Sequence, residues 1–302
     1  MIGERFLVTG ALGCIGAWAA ALLVREGAAV VAYDLGDDRH RLELIASADE
    51  IAEIEFVRGD ITDLAQLERT LDEHRITHAI HLAALQVPFV KANPPLGAAV
   101  NVVGTVNLFE ASHRHGLQTP IAYASTAAVY DELGDRHPRT LYGVFKVANE
   151  GTAEVYWADA QVASVAIRPF TVFGPGRDQG LTSGPTLAME AAARGEPYRI
   201  AFGGRTELHY APDVARGFVA AARSEPTGAR AYDFPGAAVS IAEVVAAIED
   251  EVPESAGTIT YDETPLPFPE ELPGERLDTP TTPLDEAVHE TIEHFRAAVR
   301  TA

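Results

Sequence analysis

The sequence predicts an α/β fold: a doubly wound parallel sheet with a small C-terminal lobe. Three observations carry this. A short apolar strand at Arg5–Val8 runs through a glycine turn into an Ala/Leu-rich helix from Cys14 to about Glu26. Strand-like and helix-like stretches then alternate as far as Arg168. Beyond Arg168 the chain becomes richer in Gly and Pro, which marks a change of organisation.

The first turn holds Gly10, Gly13 and Gly16 at a Gly-x-x-Gly-x-x-Gly spacing. One glycine permits a tight turn at the strand end, and a second lets the backbone approach a pyrophosphate with no Cβ between them. The third lets the helix pack closely on the sheet, its N-terminus aimed at the phosphates. This is a Rossmann-type arrangement, so Gly10, Gly13, Cys14, Ile15 and Gly16 are expected to hold a dinucleotide. The Cys14 thiol itself reads as a small packing group, because nothing near it in the sequence supplies a base. The second strand, Ala29–Asp34, ends on an acid placed to hydrogen-bond the adenosine ribose. Its charge repels a 2′-phosphate and favours NAD over NADP, although Arg39 and Arg41 lie close enough in sequence to offset that repulsion.

Composition narrows the function classes. A chain of 302 residues with 47% hydrophobic and 22% charged residues can bury a sizeable core. Its net charge of −21 argues against non-specific binding to nucleic acid or an anionic membrane. A phosphate-bearing ligand must therefore be held by local features. No apolar run reaches membrane-spanning length and no charged-then-apolar leader precedes the first strand. With a single cysteine, no internal disulfide can form, and a cytoplasmic location is expected. No metal site is expected.

Further along, a strand at Ile54–Arg58 leads to Gly59-Asp60-Ile61, and Thr62 or Asp63 caps a helix to about His74. Asp60 emerges where adenine would lie, either as an acceptor for its amino group or as part of the helix cap. The strand His78–Leu82 continues into Ala83-Ala84, small residues that let the backbone pass close under a cofactor. His78 and His81 read as satisfied strand residues, since no partner acid is apparent. The loop Leu85–Pro95, with Gln86 and Lys91, is long enough to line a site. A helix from Leu96 to about His115 carries Asn101, and a strand at Ile121–Ser125 leads into Thr126.

The chemistry centres on Leu141-Tyr-Gly-Val-Phe-Lys146, which opens a helix and places Tyr142 and Lys146 on one face. An ordinary tyrosine, with a pKa of about 10, is a poor base at neutral pH. A nearby ammonium and an oxidised nicotinamide both stabilise phenolate and lower that value. A hydroxyl from Thr126 or Ser125 could hydrogen-bond the reacting oxygen. Lys91 and Lys146 are the two lysines among 23 basic residues, and a compact ammonium is not replaceable by a guanidinium fork.

These segments resemble the extended short-chain dehydrogenase/reductases, NAD-dependent epimerases, dehydratases and dehydrogenases acting on sugars and related alcohols. The likeness runs through Thr9–Gly16, Asp34, Gly59–Ile61, His81–Ala84, Asn101–Thr105, Ala124–Thr126, Tyr142–Lys146 and Arg168–Gly176. The resemblance implies Tyr142 as acid/base, Lys146 as the holder of the nicotinamide ribose and depressor of the tyrosine pKa, and Thr126 as the catalytic hydroxyl. It implies that Asn101 supports the helix near the site and belongs to the cofactor-binding set, and that Pro169 and Phe170 pass near the nicotinamide. It also implies a homodimer through the helices around 96–115 and 142–158.

After Arg168, helices are expected at 181–193, 213–222 and 240–251, with strands near 198–202 and 232–234. The expected division is a dinucleotide domain over 1–168, joined by strands from about 198–202 and 231–234, and a lobe over 169–302 closed by a helix from Leu284. In nucleotide-sugar members of the family the stretch before Asp213 usually reads Arg-Asp-Phe/Tyr. Here Thr206 takes the arginine's place and Arg205 is displaced by one, and Thr171 stands where many members carry asparagine. Gln86, Ser125, Thr126, Thr171, Arg177 and Arg205 are the expected substrate contacts, with His209 a further candidate. The expected activity is hydride transfer from a secondary alcohol of a small polyhydroxylated compound, such as a sugar or sugar acid. The alternative is a UDP-sugar epimerase with retained NAD.

Overall fold

The computed structural model describes residues 3–301. Among the described residues the strands are β1 (Arg5–Thr9), β2 (Ala29–Asp34), β3 (Ile54–Arg58), β4 (His78–His81), β5 (Ile121–Ala124) and β6 (Ser164–Arg168). They are followed by β7 (Thr171–Phe173), β8 (Tyr198–Ile200), β9 (Arg205–Tyr210), β10 (Ala229–Asp233), β11 (Ala237–Ser240) and β12 (Ile259–Tyr261). Seven of them form one parallel sheet in the order β10-β6-β5-β4-β1-β2-β3. The order reverses between β1 and β4, so a crevice opens outside the carboxyl ends of those strands.

β1 shows why the sheet is double-faced. Phe6, Leu7 and Val8 are all fully buried, as in a strand covered on both sides. Phe6 and Val8 pack with the helices Cys14–Arg25 and Ala211–Ala222, whereas Leu7 joins the helices Leu64–Glu73 and Gly104–His115 on the opposite face. A third core, around Phe173, Met189, Ile200, Phe202 and Ile248, belongs to the lobe. The C-terminal helix Leu284–Thr301 closes onto it through Leu284, Val288 and Ile292, at the helical spacing seen in the sequence.

Several elements differ from expectation. The strand near 198–202 does not join the central sheet; β8 pairs with β12 in a separate two-stranded sheet, and β10 alone of the later strands extends the main one. β8 is three residues long, and its Ile200 is committed to the lobe core. The helix expected from Leu96 starts at Pro94 and passes through a π-helical segment, Ala99–Val103, before continuing as Gly104–His115. The loop after Leu85 contains a short helix, Val87–Ala92, with Pro88 in its first turn. Two short helices after β2, His40–Ile45 and Ala48–Ala52, were not anticipated; the second carries a readable signal, the Ser47/Glu50 capping box. No helix among the described residues is long and apolar enough to cross a membrane.

Candidate active site

A cavity of about 570 Å³ runs along the carboxyl ends of the central strands. Its nucleotide end is built from the glycine turn. Gly10 has φ +68°, and a Cβ there would sit 2.6 Å from the Ala83 backbone nitrogen. A Cβ on Gly16 would collide with the Gly10 carbonyl. Both positions therefore exclude side chains, and Gly13 directly precedes the helix that starts at Cys14. As at any helix start, the first amides lack intrahelical acceptors and face an incoming anion. Gly13, Cys14 and Ile15 line the same cavity. Burial pushes the Cys14 thiol up to about 11, against the pull of Arg177 and Arg41, so it stays protonated and inert.

Asp34 lines the cavity, with Oδ2 accepting from the Leu12 N–H at 3.0 Å and Oδ1 from the Gly36 N–H at 3.2 Å. Asp60 and Ile61 also line it. Asp60 Oδ1 accepts from the Thr62 N–H and hydroxyl, while Asp63 caps the following helix, so Asp60 shapes the turn ahead of the cap. Leu82, Ala83 and Ala84 complete this wall. Asn101 does not reach the cavity. It is fully buried, with Oδ1 accepting from the Leu85 N–H at 2.7 Å and Nδ2 donating to the Leu85 carbonyl at 2.9 Å. Its place is behind the wall, fixing the backbone next to Gln86. His81 is shared between Thr9 and Thr105, and burial, aided by the Lys146 charge, lowers it to about 3. It is a satisfied strand residue, as is half-buried His78, which stacks on Phe6.

Thr126, Tyr142 and Lys146 meet at the other end. The Thr140 hydroxyl caps the helix Leu141–Ala160 by accepting from the Gly143 N–H. A Cβ on Gly143 would clash with the Ala128 carbonyl, so this glycine lets the helix start pack against the segment after Thr126. Tyr142 and Thr126 both line the cavity, and Thr126 pulls the tyrosine down against its burial. Lys146 is buried, donates to the Ala124 carbonyl at 2.8 Å, and lies 5.6 Å from the Tyr142 ring centroid. Burial lowers the Lys146 ammonium to about 8, with Glu150 opposing the change. Burial raises the Tyr142 phenol, with Arg177 and Thr126 pulling it back down. The lysine ammonium is held at the Ala124 carbonyl.

The substrate side departs further from expectation. Gln86, Ser125 and Arg177 line the cavity together with Pro169, whose carbonyl accepts from the Ala127 N–H. The Ser125 hydroxyl, however, donates to Glu150 at 2.6 Å and is turned into an ionic cluster behind the wall. Arg177 donates to Thr182, and its buried Nε has no protein partner. Thr171 is fully buried and shares a 2.8 Å hydrogen bond with Thr206, outside the cavity. Arg205 points outward, 45% exposed, onto the Ala238 carbonyl and Glu243. His209 is buried and accepts from the Phe170 N–H at 2.9 Å. Phe170 lines the cavity beside Pro169, and so do Phe89, Leu181 and Phe268, which were not singled out as contacts; Phe268 comes from the proline-rich tail, which has no periodic signal.

The chain belongs to the NAD dependent epimerase/dehydratase family, whose model matches residues 6–233. It is 31% identical over 97% of its length, and 98% of the relative's, to a UDP-glucose 4-epimerase of Mycolicibacterium smegmatis. It is 33% identical to UDP-glucuronate 4-epimerase 2 of Arabidopsis thaliana, over 57% of this chain and 43% of that protein, so it spans less than half of that relative. The crystal structure of UDP-glucose 4-epimerase from Thermus thermophilus in complex with NAD superimposes with a TM-score of 0.74 at 27% identity, covering 98% of this chain and all of that one. The protein is an NAD-dependent enzyme with an extended short-chain dehydrogenase/reductase fold. The residues present fit that cofactor: the glycine cradle that excludes any Cβ, the helix start facing it, and Asp34 at the end of β2.

Proposed function

We propose that the enzyme oxidises a secondary alcohol of a free sugar, sugar acid or similarly small polyol. The observation that carries this reading is that Thr126, Tyr142 and Lys146 converge at one end of a cavity whose other end is the glycine turn. When bound, NAD supplies the hydride acceptor. Tyr142, as phenolate, takes the hydroxyl proton as the carbon loses its hydride and the C–O bond becomes a carbonyl. Thr126 hydrogen-bonds the reacting oxygen and the tyrosine, and the Arg177 charge favours the phenolate. Lys146 orients the nicotinamide ribose. Gln86 and Arg177 remain as substrate contacts, whereas Thr171 and Arg205 are withdrawn. That supports a substrate without a nucleotide, since Thr171 and Thr206 stand where nucleotide-sugar members would place binding groups, and here the two are buried against each other.

A second reading, a UDP-sugar epimerase that returns the hydride to the opposite face, is favoured by the full-length likeness to the mycobacterial UDP-glucose 4-epimerase. We further propose a boundary near residue 168 between cofactor and substrate parts, and a homodimer. The exposed Val103, Val144 and Val155 on the helical segments around 99–115 and 141–160 would supply its apolar face. A single assay separates the two activities: reduced-nicotinamide absorbance with excess NAD and a panel of free aldoses, sugar acids and UDP-sugars. A sustained rise with a free compound supports the dehydrogenase. Epimerisation of a UDP-sugar without a rise overturns it. With whichever substrate turns over, Tyr142→Phe should lower kcat by about 10²–10⁴-fold and leave NAD affinity within about twofold.

A further inference from the structure

The sequence left Arg39 and Arg41 as cations that could accommodate a 2′-phosphate on the adenosine ribose. The structure disposes of them differently. The Arg39 guanidinium lies 3.5 Å over the Phe56 ring, and Arg58, at the end of β3, is held on the Leu35 carbonyl. Of these three arginines, Arg41 alone lines the cavity. It donates to the Leu12 carbonyl through Nη1, and the Leu12 N–H is held in turn by Asp34. Arg41 and Asp34 therefore grip opposite ends of one residue, which places the guanidinium beside the ribose-binding acid.

Arg41 is nevertheless already engaged. Asp178, 137 residues away in sequence, takes Nε at 3.1 Å and Nη2 at 2.8 Å in a forked pair. The segment that presents Asp178 is shaped for this. Gly174, Gly176 and Gly180 all have positive φ, and the Pro175 carbonyl is tied down by the Trp18 indole N–H at 2.9 Å. Other charged groups around the pair are Asp34, Asp38 and His40, and His40 is bonded to both Asp38 and Asp178. Burial would raise the Asp178 carboxyl, but hydrogen bonds from Arg41 and His40 outweigh it, so the group stays ionised.

We propose that Asp178 is a cofactor-specificity residue: by occupying Arg41 it withholds that guanidinium from a 2′-phosphate, and so excludes NADP together with Asp34. The inference rests on NAD occupying the cavity but not on any substrate. A guanidinium fork fits a phosphate as well as a carboxylate, so freeing it changes which anion it takes.

The test is fluorescence titration of the purified protein with NADH and with NADPH at one fixed ionic strength, since such pairs are screened by salt. Asp178→Ala should raise NADPH affinity relative to NADH by about tenfold. Asp178→Asn, which keeps the shape but removes the charge, should move the ratio the same way and carries the test if the alanine variant fails to fold. Adding Arg41→Ala to either should abolish the gain. Equal changes in both affinities would reduce Asp178 to a loop support and overturn the proposal, as would a gain that survives loss of Arg41. Failure of the unaltered protein to bind NADH would instead overturn the cofactor assignment, so the two failures are distinguishable.

Discussion

The two walls of the cavity are built on opposite principles. The nucleotide wall, Gly10–Gly16 with the ends of β2, β3 and β4, gets its shape from missing side chains and from strands packed on both faces. The reaction wall, Ser125–Ala128 with Pro169, Phe170 and the 177–182 segment, is backed by two buried ionic clusters. In one, Glu150 holds Arg168 through a forked pair, accepts from Ser125, and takes Arg136 as well, while Arg168 also reaches Tyr130 and Asp233. In the other, Glu207 receives a forked Arg276 and the Leu272 N–H, and pairs with His209, which supports Phe170. The first wall leaves no room for a Cβ at Gly10 or Gly16, whereas the second is backed by paired charges.

Gly16→Ala is the sharpest attempt to break the first half of that comparison. The new methyl would sit 2.2 Å from the Gly10 carbonyl, a backbone atom that cannot swing aside. The helix must move off the turn, and NADH affinity measured by titration should fall by about 100-fold or more. Retained affinity would mean that the glycine spacing is not what shapes this wall.

Glu150→Gln addresses the second half. Glu150 and Arg168 have side chains 4% and 5% exposed, and the remaining acid near Arg168, Asp233, cannot replace a forked pair. Breaking such a pair typically costs about 3–5 kcal/mol. Urea unfolding should show that loss, with nucleotide affinity little changed because Glu150 lies behind the reaction wall. A loss below about 1 kcal/mol would show that the cluster is not what holds the wall.

The same contrast explains what could be read before the structure. The glycine turn and the Tyr142/Lys146 pair were legible because each depends on spacing within a few residues of one chain segment, and Asp34 because it ends the apolar strand that follows the first helix. Thr171 and Arg205 were misplaced because their surroundings come from other segments. On β9 Thr206 meets Thr171 in the interior, and Arg205 is exposed because it is the first residue of a strand buried on both faces from Thr206 onward, which no local pattern reveals. Asn101 was misassigned for a related reason. The π-helical segment accompanies a side chain directed to the Leu85 backbone, and π-helical turns carry no simple sequence signal. The forked pairs of the ionic clusters join residues 18 and 69 apart in sequence, and Tyr130 meets Asp233 across 103, so these partners become visible only in three dimensions.

A smaller effect should appear in acid. His81 behind the nucleotide wall titrates at about 3 in the folded protein against an ordinary 6.5. Below pH 6.5 the unfolded chain takes up a proton that the folded protein refuses, so stability is lost as pH falls from about 6.5 toward 3. The slope is about 1.4 kcal/mol per pH unit for this group. His209 behind the other wall is also lowered by burial, but Glu207 opposes that shift. Melting measured from pH 7 to pH 5 should therefore flatten more in His81→Gln than in His209→Gln. The reverse ranking would place the acid-sensitive point behind the reaction wall.

The smallest effect sharpens the comparison by marking where the reaction wall ends. Arg205 lies two residues before Glu207 in the sequence, yet its side chain is 45% exposed and bonded to the Ala238 carbonyl and the exposed Glu243. Partly exposed pairs of this kind contribute roughly 0–1 kcal/mol. Arg205→Ala should therefore leave kcat, KM and NADH affinity unchanged and shift the urea midpoint only slightly, whereas Arg177→Ala, inside the cavity and beside Tyr142, should raise KM and lower kcat together. If Arg205→Ala instead raised KM with kcat intact, Arg205 would be a substrate contact after all, and the wall would extend to the outer face of β9.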